Sequence, residues 1–290
     1  MNTLPAILAA TFAAPLAVGA AAVSVLGRRG KSAPRPALVF HSVLASRGPG
    51  VSYFPVARFD SLLQALVSRG FTFKTLSEAS LPAPAEAPEA ILTFDDGFRC
   101  FVDNALPLLR KHRARVTVFP VAGFLGKRSG WDVYSGLDHL SEDNLRLIAS
   151  EGHEIGSHSL THPDLTLLSS ADLRTELADS KAKLEDIINA PVRALAFPGG
   201  CWNQRAWETA QELGYCRATV YRGYREGLPG LVPACGVYAF DTVEDVIERI
   251  DSSGRPRNAV TRGKIMPHFA KGAFVWRFRR DYVRLPALRG

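Results

Sequence analysis

Ile91-Leu92-Thr93-Phe94-Asp95-Asp96-Gly97 is an apolar, strand-forming run that stops abruptly in two adjacent carboxylates and a glycine. A buried strand that ends this way delivers charge to the rim of a site. Two neighbouring carboxylates repel, and burying them without compensation costs several kcal/mol or more, so the pair calls for a positive partner. A divalent metal is the natural candidate. The plainer alternative is a strand followed by an Asp-Asp-Gly turn, since both residue types favour turns.

Outward from this run, strand-like and helix-like segments alternate. Ala37 to Phe40 reads as a first strand ending in His41-Ser42, and Phe59 to Ser68 carries apolar residues at helical spacing before Gly70. Pro82, Pro84 and Pro88 mark the segment Leu81 to Pro88 as a loop. A helix is expected over Phe101 to Lys111, with Pro107 in its early turns, followed by a β-branched run, Val116 to Val121. Ser141 has the character of an N-cap for a helix through Ser150, and His153 to Ser157 reads as a short strand opening into His158-Ser159-Leu160-Thr161-His162. Ser169 or Ser170 caps a long amphipathic helix. Ala194 to Phe197 is a strand ended by Pro198-Gly199-Gly200, Gln204 to Leu213 a helix, Arg217 to Val220 a strand and Thr242 to Ile250 a helix. Such alternation over two hundred residues predicts an α/β fold with parallel strands, either a barrel or an open sheet. In both, strand exits share one face, where sites are built.

The 290 residues, 47% hydrophobic and 22% charged, supply an ample core and exclude a disordered or low-complexity chain. The formal net charge of +7 raises nucleic acid, an anionic membrane surface or an acidic polymer as partners. No aromatic and basic interleave runs along the body, so nucleic acid is not expected. The densest basic segment is 255–290, where Phe274, Trp276, Phe278 and Tyr282 interleave with arginines, a composition that suits an anionic membrane surface or a solvated tail. Cys100, Cys201, Cys216 and Cys235 lack paired spacing, which argues against a cysteine zinc site or a disulfide framework.

Residues 1–30 form a hydrophobic, anchor-like or signal-like segment: Asn2 to Gly27 carry no charge, and Arg28, Arg29 and Lys31 follow at once. An uncleaved anchor with this flank places the following domain in the cytoplasm, whereas a cleaved signal places it outside. Membrane association is the expectation, with its side open.

His158 and His162, four residues apart, would face the same way on a helical turn. Two imidazoles and a carboxylate are a common zinc-site composition with positions left open for water and substrate. Phe197-Pro198-Gly199-Gly200 forms a third loop at a strand exit, where glycine lets backbone amides approach a ligand.

Thr93-Phe94-Asp95-Asp96-Gly97, His158-Ser159-Leu160-Thr161-His162 and Phe197-Pro198-Gly199-Gly200, in this order, resemble the first three motifs of the NodB-homology polysaccharide deacetylases. The resemblance extends over residues 37–250 and includes Gly152 to Ser157 and the helix Glu176 to Ile187. It implies a distorted (β/α) barrel with fewer strands than the standard eight. It also implies that Asp95 acts as general base, that Asp96, His158 and His162 hold a divalent metal, and that a backbone amide near Pro198 and Gly199 helps stabilise an oxyanion. Metal-activated water would then attack an amide carbonyl while Asp95 takes its proton. Zinc suits such a donor set, with cobalt, nickel or iron as alternatives. His268 and His41 are both candidates for protonating the leaving amine.

The expected reaction is hydrolysis of N-acetyl groups on amino sugars of a polysaccharide or lipid-linked glycan. A catalytically idle glycan-binding protein, or a related deformylase or peptidoglycan deacetylase, would use the same motifs. Three departures from the family pattern bear on the substrate: Gly199 stands where a tyrosine is frequent, Val232-Pro233-Ala234 replaces Leu-Pro-Arg, and the fourth motif's acid has no clear counterpart.

Overall fold

The structure is a computed structural model that describes residues 35–46, 48, 51–80, 88–130, 136–221 and 228–251. The anchor-like segment, residues 81–87 of the proline-containing loop, His268 and the basic segment 255–290 lie outside the described residues. Among those described, no helix is long and apolar enough to cross a membrane.

In chain order the elements are β1 (Ala37–Phe40), β2 (Ser42–Leu44), β3 (Tyr53–Pro55), α1 (Val56–Ser68), β4 (Thr72–Lys74), β5 (Glu89–Phe94), α2 (Leu106–Lys111), β6 (Thr117–Val118), α3 (Glu142–Ser150), β7 (Glu154–Ile155), α4 (Ser170–Ile188), β8 (Ala194–Ala196), α5 (Gln204–Glu212), β9 (Arg217–Val220), β10 (Leu231–Gly236) and α6 (Val243–Asp251). The main sheet is parallel throughout and runs β7-β6-β5-β1-β10-β9-β8, with β4 beside the start of β5. A parallel bridge between Ser157 and Leu195 joins its two ends. There Ser157 N donates to Ala194 O and Ala196 N to Ser157 O, both at 2.9 Å. The result is a closed ring of seven strands among the described residues, the distorted barrel expected from the resemblance.

Strand periodicity sorts the core into two shells. Leu38, Phe40, Leu92, Phe94, Val118, Leu195, Phe197, Ala218 and Val220 point outward into one cluster with Leu62, Leu66, Leu173, Leu177 and Ile247 of the surrounding helices. Ala37, Val39, Ile91, Ala194, Ala196, Val232 and Ala234 point inward into a second cluster with Leu76 and Ala79. Those last two belong to the segment Thr75 to Ser80, which closes the end of the ring where the strands begin. Thr117 Oγ1 accepts from Leu76 N at 2.8 Å, Glu154 accepts from Ser77 N at 3.1 Å, and Glu89 accepts from Ser80 N at 2.9 Å. The opposite end, where the strands finish, is left as the mouth.

The helices are capped as their sequences dictate. Ser141 and Asn144 form a reciprocal capping box on α3, Ser169 rather than Ser170 caps α4, and Asn203 caps α5. The helix expected over Phe101 to Lys111 opens instead with a π turn, Phe101–Ala105, in which Leu106 N reaches back to Phe101 O. Pro107 has no amide to donate and its ring crowds the carbonyl four residues before it, so the chain widens its turn there. Last among the described elements, α6 is tied to the exit of β10 through a buried ion pair. Arg249 donates to Asp241 Oδ2 at 2.7 Å and to Gly236 O at 2.8 Å, and Asp241 also accepts from Tyr238 N at 2.8 Å.

Candidate metal centre and active site

Each ring strand delivers its next inward residue to the mouth. By the same alternation, β1 presents His41, β5 presents Asp95, β7 presents His158 and β8 presents Pro198. The carbonyl of Phe40 accepts from Asp95 N at 2.9 Å, which fixes the exits of β1 and β5 side by side.

After Asp95 the chain turns sharply. Asp96 and Gly97 both adopt left-handed backbone, with φ of 66° and 63°. Gly97 is required there twice over: a β-carbon would lie 2.7 Å from Pro120 Cα, and the left-handed region is costly for a side-chain-bearing residue. Asp96 tolerates the region because its short polar side chain is among those that visit it. The turn is strapped by the segment Asp138 to Leu140. Buried His139 donates from Nδ1 to Asp96 O at 2.9 Å, Leu140 N donates to Gly97 O at 2.8 Å, and Arg99 N donates to Asp138 O at 2.8 Å.

This turn aims the Asp96 carboxylate at the two histidines. Asp96 Oδ1 lies 3.6 Å from His158 Nε2 and 3.4 Å from His162 Nε2, and the ligand atoms of all three lie within 4.8 Å of one another. The histidines converge through an irregular loop rather than the helical turn their spacing suggested. Ser159 and His162 both have positive φ, 63° and 64°, and His162 N donates to Ser159 Oγ at 3.0 Å. Glu176, on α4, holds this loop from behind: its carboxylate accepts from Leu160 N and Thr161 N at 2.9 Å each and from Thr161 Oγ1 at 2.5 Å.

His158 donates from Nδ1 to Ala196 O at 2.9 Å, which leaves Nε2 with its lone pair facing Asp96. Burial pushes the His158 pKa down to about 4, and that of His162 well below its ordinary value, with further lowering of both by neighbouring histidines. Both rings are therefore neutral at pH 7, the form that ligates a metal. His41 is close enough to contribute to both depressions, which puts it beside the cluster, and burial lowers its own pKa to about 4.

Asp95 is 3% exposed and its Oδ1 has no hydrogen-bond partner among the described residues. Burial, and then the charge of Asp96, raise its pKa well above the usual carboxylate range. A buried oxygen without a donor, next to a carboxylate and two neutral imidazoles, fits a bound cation that would compensate the pair. The donor set present, two nitrogens and a carboxylate, fits a divalent ion with open positions.

Pro198 and Gly199 occupy a short 3-10 turn, Pro198–Gly200, directly after the strand whose Ala196 carbonyl orients His158. The structure thus brings together Asp95, Asp96, His158, His162 and His41 and sets Pro198 and Gly199 at the adjacent strand exit. His139 and Glu176 went unread as site residues in the sequence. Each acts on main-chain atoms of a distant segment, for which spacing offers no signal.

Residues 83–218 match the family model for polysaccharide deacetylase. The Bacillus subtilis protein YxkH, which carries the family's name, is 26% identical over 189 residues, covering 64% of this chain and 63% of that protein. A peptidoglycan-N-acetylglucosamine deacetylase of Bacillus cereus is 31% identical over 125 residues, covering 43% of this chain and 52% of that protein. The chain therefore spans between half and two thirds of the length of these curated relatives. The solved structure of the Streptococcus pyogenes deacetylase PplD in complex with acetate superposes with a TM-score of 0.64 at 22% identity, covering 76% of this chain and 99% of the other, and shows the shared fold.

Proposed function

Since this chain belongs to the polysaccharide deacetylase family, we propose that its barrel mouth hydrolyses N-acetyl groups on amino sugars of a polysaccharide or lipid-linked glycan. The observation that carries this reading is the buried Oδ1 of Asp95, without a hydrogen-bond partner among the described residues, next to the cluster of Asp96, His158 and His162. Asp96, His158 and His162 would hold a divalent cation, most simply zinc, which would supply Lewis acidity toward a water and an amide carbonyl.

The protein's own groups do the rest. Asp95, buried beside the cluster with an Oδ1 that has no hydrogen-bond partner among the described residues, would accept the proton of the attacking water, and a cation on Asp96 would offset the charge that raises its pKa and so keep Asp95 ionised for the task. His158 is kept in one tautomer by Ala196 O, so its Nε2 stays available as a ligand throughout. The Pro198–Gly200 turn offers backbone amide to the developing oxyanion. The leaving amine would take up the proton that Asp95 accepts from the water, and His41, kept neutral at pH 7 by burial, and His268, outside the described residues, are the two candidates for relaying it. The uncharged segment Asn2 to Gly27 and the basic residues after Arg255 would attach this catalytic domain to a membrane surface.

A panel of N-acetylglucosamine oligomers and peptidoglycan fragments, assayed for released acetate with and without a chelator, tests the reading. Wild type should release acetate only in the chelator-free arm, and Asp95→Asn should lose about 100-fold to 10,000-fold in rate. An Asp95→Asn variant as fast as wild type would remove the assigned base. Glycan binding without turnover across the panel would favour an idle binding protein instead.

A further inference from the structure

The alternation that places His41, Asp95, His158 and Pro198 at the mouth also places Tyr221 there. On β9, Ala218 and Val220 pack into the outer shell, so Arg217, Thr219 and Tyr221 face inward. Ala196 pairs with Thr219 in the ladder, and two residues further on Tyr221 comes level with Pro198. Tyr221 is half-buried and packs on the inner cluster, whose other members are aliphatic apart from Phe119. Its ring lies over the Pro198–Gly200 turn. A β-carbon on Gly200 would stand 2.7 Å from Tyr221 Cδ2 and 3.3 Å from its Cβ, so the bare glycine is what lets the ring settle against the backbone.

We infer that Tyr221, seated on the Pro198–Gly200 turn, is a substrate-positioning residue that forms one wall of the subsite for a pyranose ring. This rests on the deacylase reading above and deepens it. A pyranose exposes an apolar C–H face and polar edges, and a tyrosine ring offers a flat apolar surface with a hydroxyl at its margin. Tyr221 stands one strand along from β8, whose Ala196 orients His158, and so lies beside the metal centre without belonging to it. A sugar stacked there would have an N-acyl substituent within the mouth. The adjoining strand, β10, carries inward-facing Val232 and Ala234, and by its register with β9 Ala234, a short side chain, comes level with Tyr221.

The test compares Tyr221→Ala and Tyr221→Phe with wild type on two probes, the N-acetylglucosamine pentamer and p-nitrophenyl acetate. The ester needs the hydrolytic centre and no sugar subsite. Tyr221→Ala should raise KM for the pentamer by about tenfold, with kcat changed far less, while Tyr221→Phe stays within about threefold and ester hydrolysis within about twofold of wild type. Unchanged KM in Tyr221→Ala overturns the proposal. Equal losses on pentamer and ester overturn it too, because they mark a structural role. Should wild type turn over no glycan, the deacylase reading fails by itself. Calorimetric binding of the pentamer then decides: weaker binding to Tyr221→Ala supports the wall, and equal binding or none to either protein refutes it.

Discussion

Replacing Glu176 by alanine takes three hydrogen bonds from the loop that carries both histidines of the cluster, two of them to the main-chain amides of Leu160 and Thr161. Hydrogen bonds to a charged acceptor contribute about 1.5–3 kcal/mol each. Because the site is half-buried, water recovers part of that loss, and a net destabilisation of about 2–4 kcal/mol is expected. Ser159 and His162 sit in left-handed backbone that costs of order 1–3 kcal/mol per residue and persists only while the surroundings enforce it. Without the Glu176 clamp these two relax, and His162 Nε2 leaves its place 3.4 Å from Asp96. Affinity for zinc should fall by about 10–100-fold, the range for losing an outer-shell partner. That corresponds to about 1.4–2.8 kcal/mol and fits within the hydrogen-bond estimate. Competition titration against a chromogenic chelator measures it, alongside thermal unfolding of the metal-free protein. Glu176→Gln, which keeps one acceptor oxygen, should fall between wild type and Glu176→Ala. A Glu176→Ala protein that binds zinc within twofold of wild type and melts at the same temperature would refute this reasoning.

Three other perturbations follow from the same geometry. His139→Phe keeps an aromatic ring against Phe98 and Phe124 but loses the donor to Asp96 O, so zinc affinity should drop by about tenfold, with His139→Asn recovering part of it in the same titration. Asp241→Asn leaves the Arg249 guanidinium, 1% exposed, without its counter-charge and should cost about 3–5 kcal/mol by urea unfolding. Burial raises Cys235 from its ordinary 9.0, and Tyr215 from 10.0, each to about 12. Both are proton-holding groups in the fold, so the stability they contribute is complete below pH 9 and is lost as pH rises through about 12. The melting temperature should thus hold level to about pH 9 and then decline, with Cys235→Ala making the first part of that decline shallower.

Legibility in the sequence followed the physics of each element. β5 could be read because its burial on both faces demands an unbroken apolar run, and its exit carried the acids. β7 was foreseen around Glu154 and Ile155 despite its length, since a helix end at Gly152 and the histidine loop bracket it. β10 went unread because Pro233 lies in its middle, and proline argues against a central strand. The structure accommodates it where pairing passes from β9, through Leu231 to Pro233, to β1, through Ala234 to Gly236. β2, β3 and β4, three residues each, are too short to show a period. Of the β-branched run Val116 to Val121, Thr117 and Val118 form the strand, which stops before Pro120. At the site, residue types and strand exits pointed to Asp96, His158 and His162, which the fold brings into one cluster, and to the neighbouring Asp95. They did not show the left-handed turns at Asp96, Ser159 and His162, which depend on straps from Asp138 to Leu140 and from Glu176.

The closure of the ring between Ser157 and Leu195 has a thermodynamic corollary. This seam is the thinnest pairing in the barrel, and the residues flanking it, His158 and Ala196, are themselves joined by a hydrogen bond. Asp96, His158 and His162 all lie on the β5–β7 side, so parting the seam leaves the three together and takes from His158 the carbonyl that fixes its tautomer. A cation held by Asp96, His158 and His162 would favour the closed ring only through that bond, because it would keep Nδ1 of His158 as the donor to Ala196 O, and by mass action its concentration would then bear on how often the seam opens.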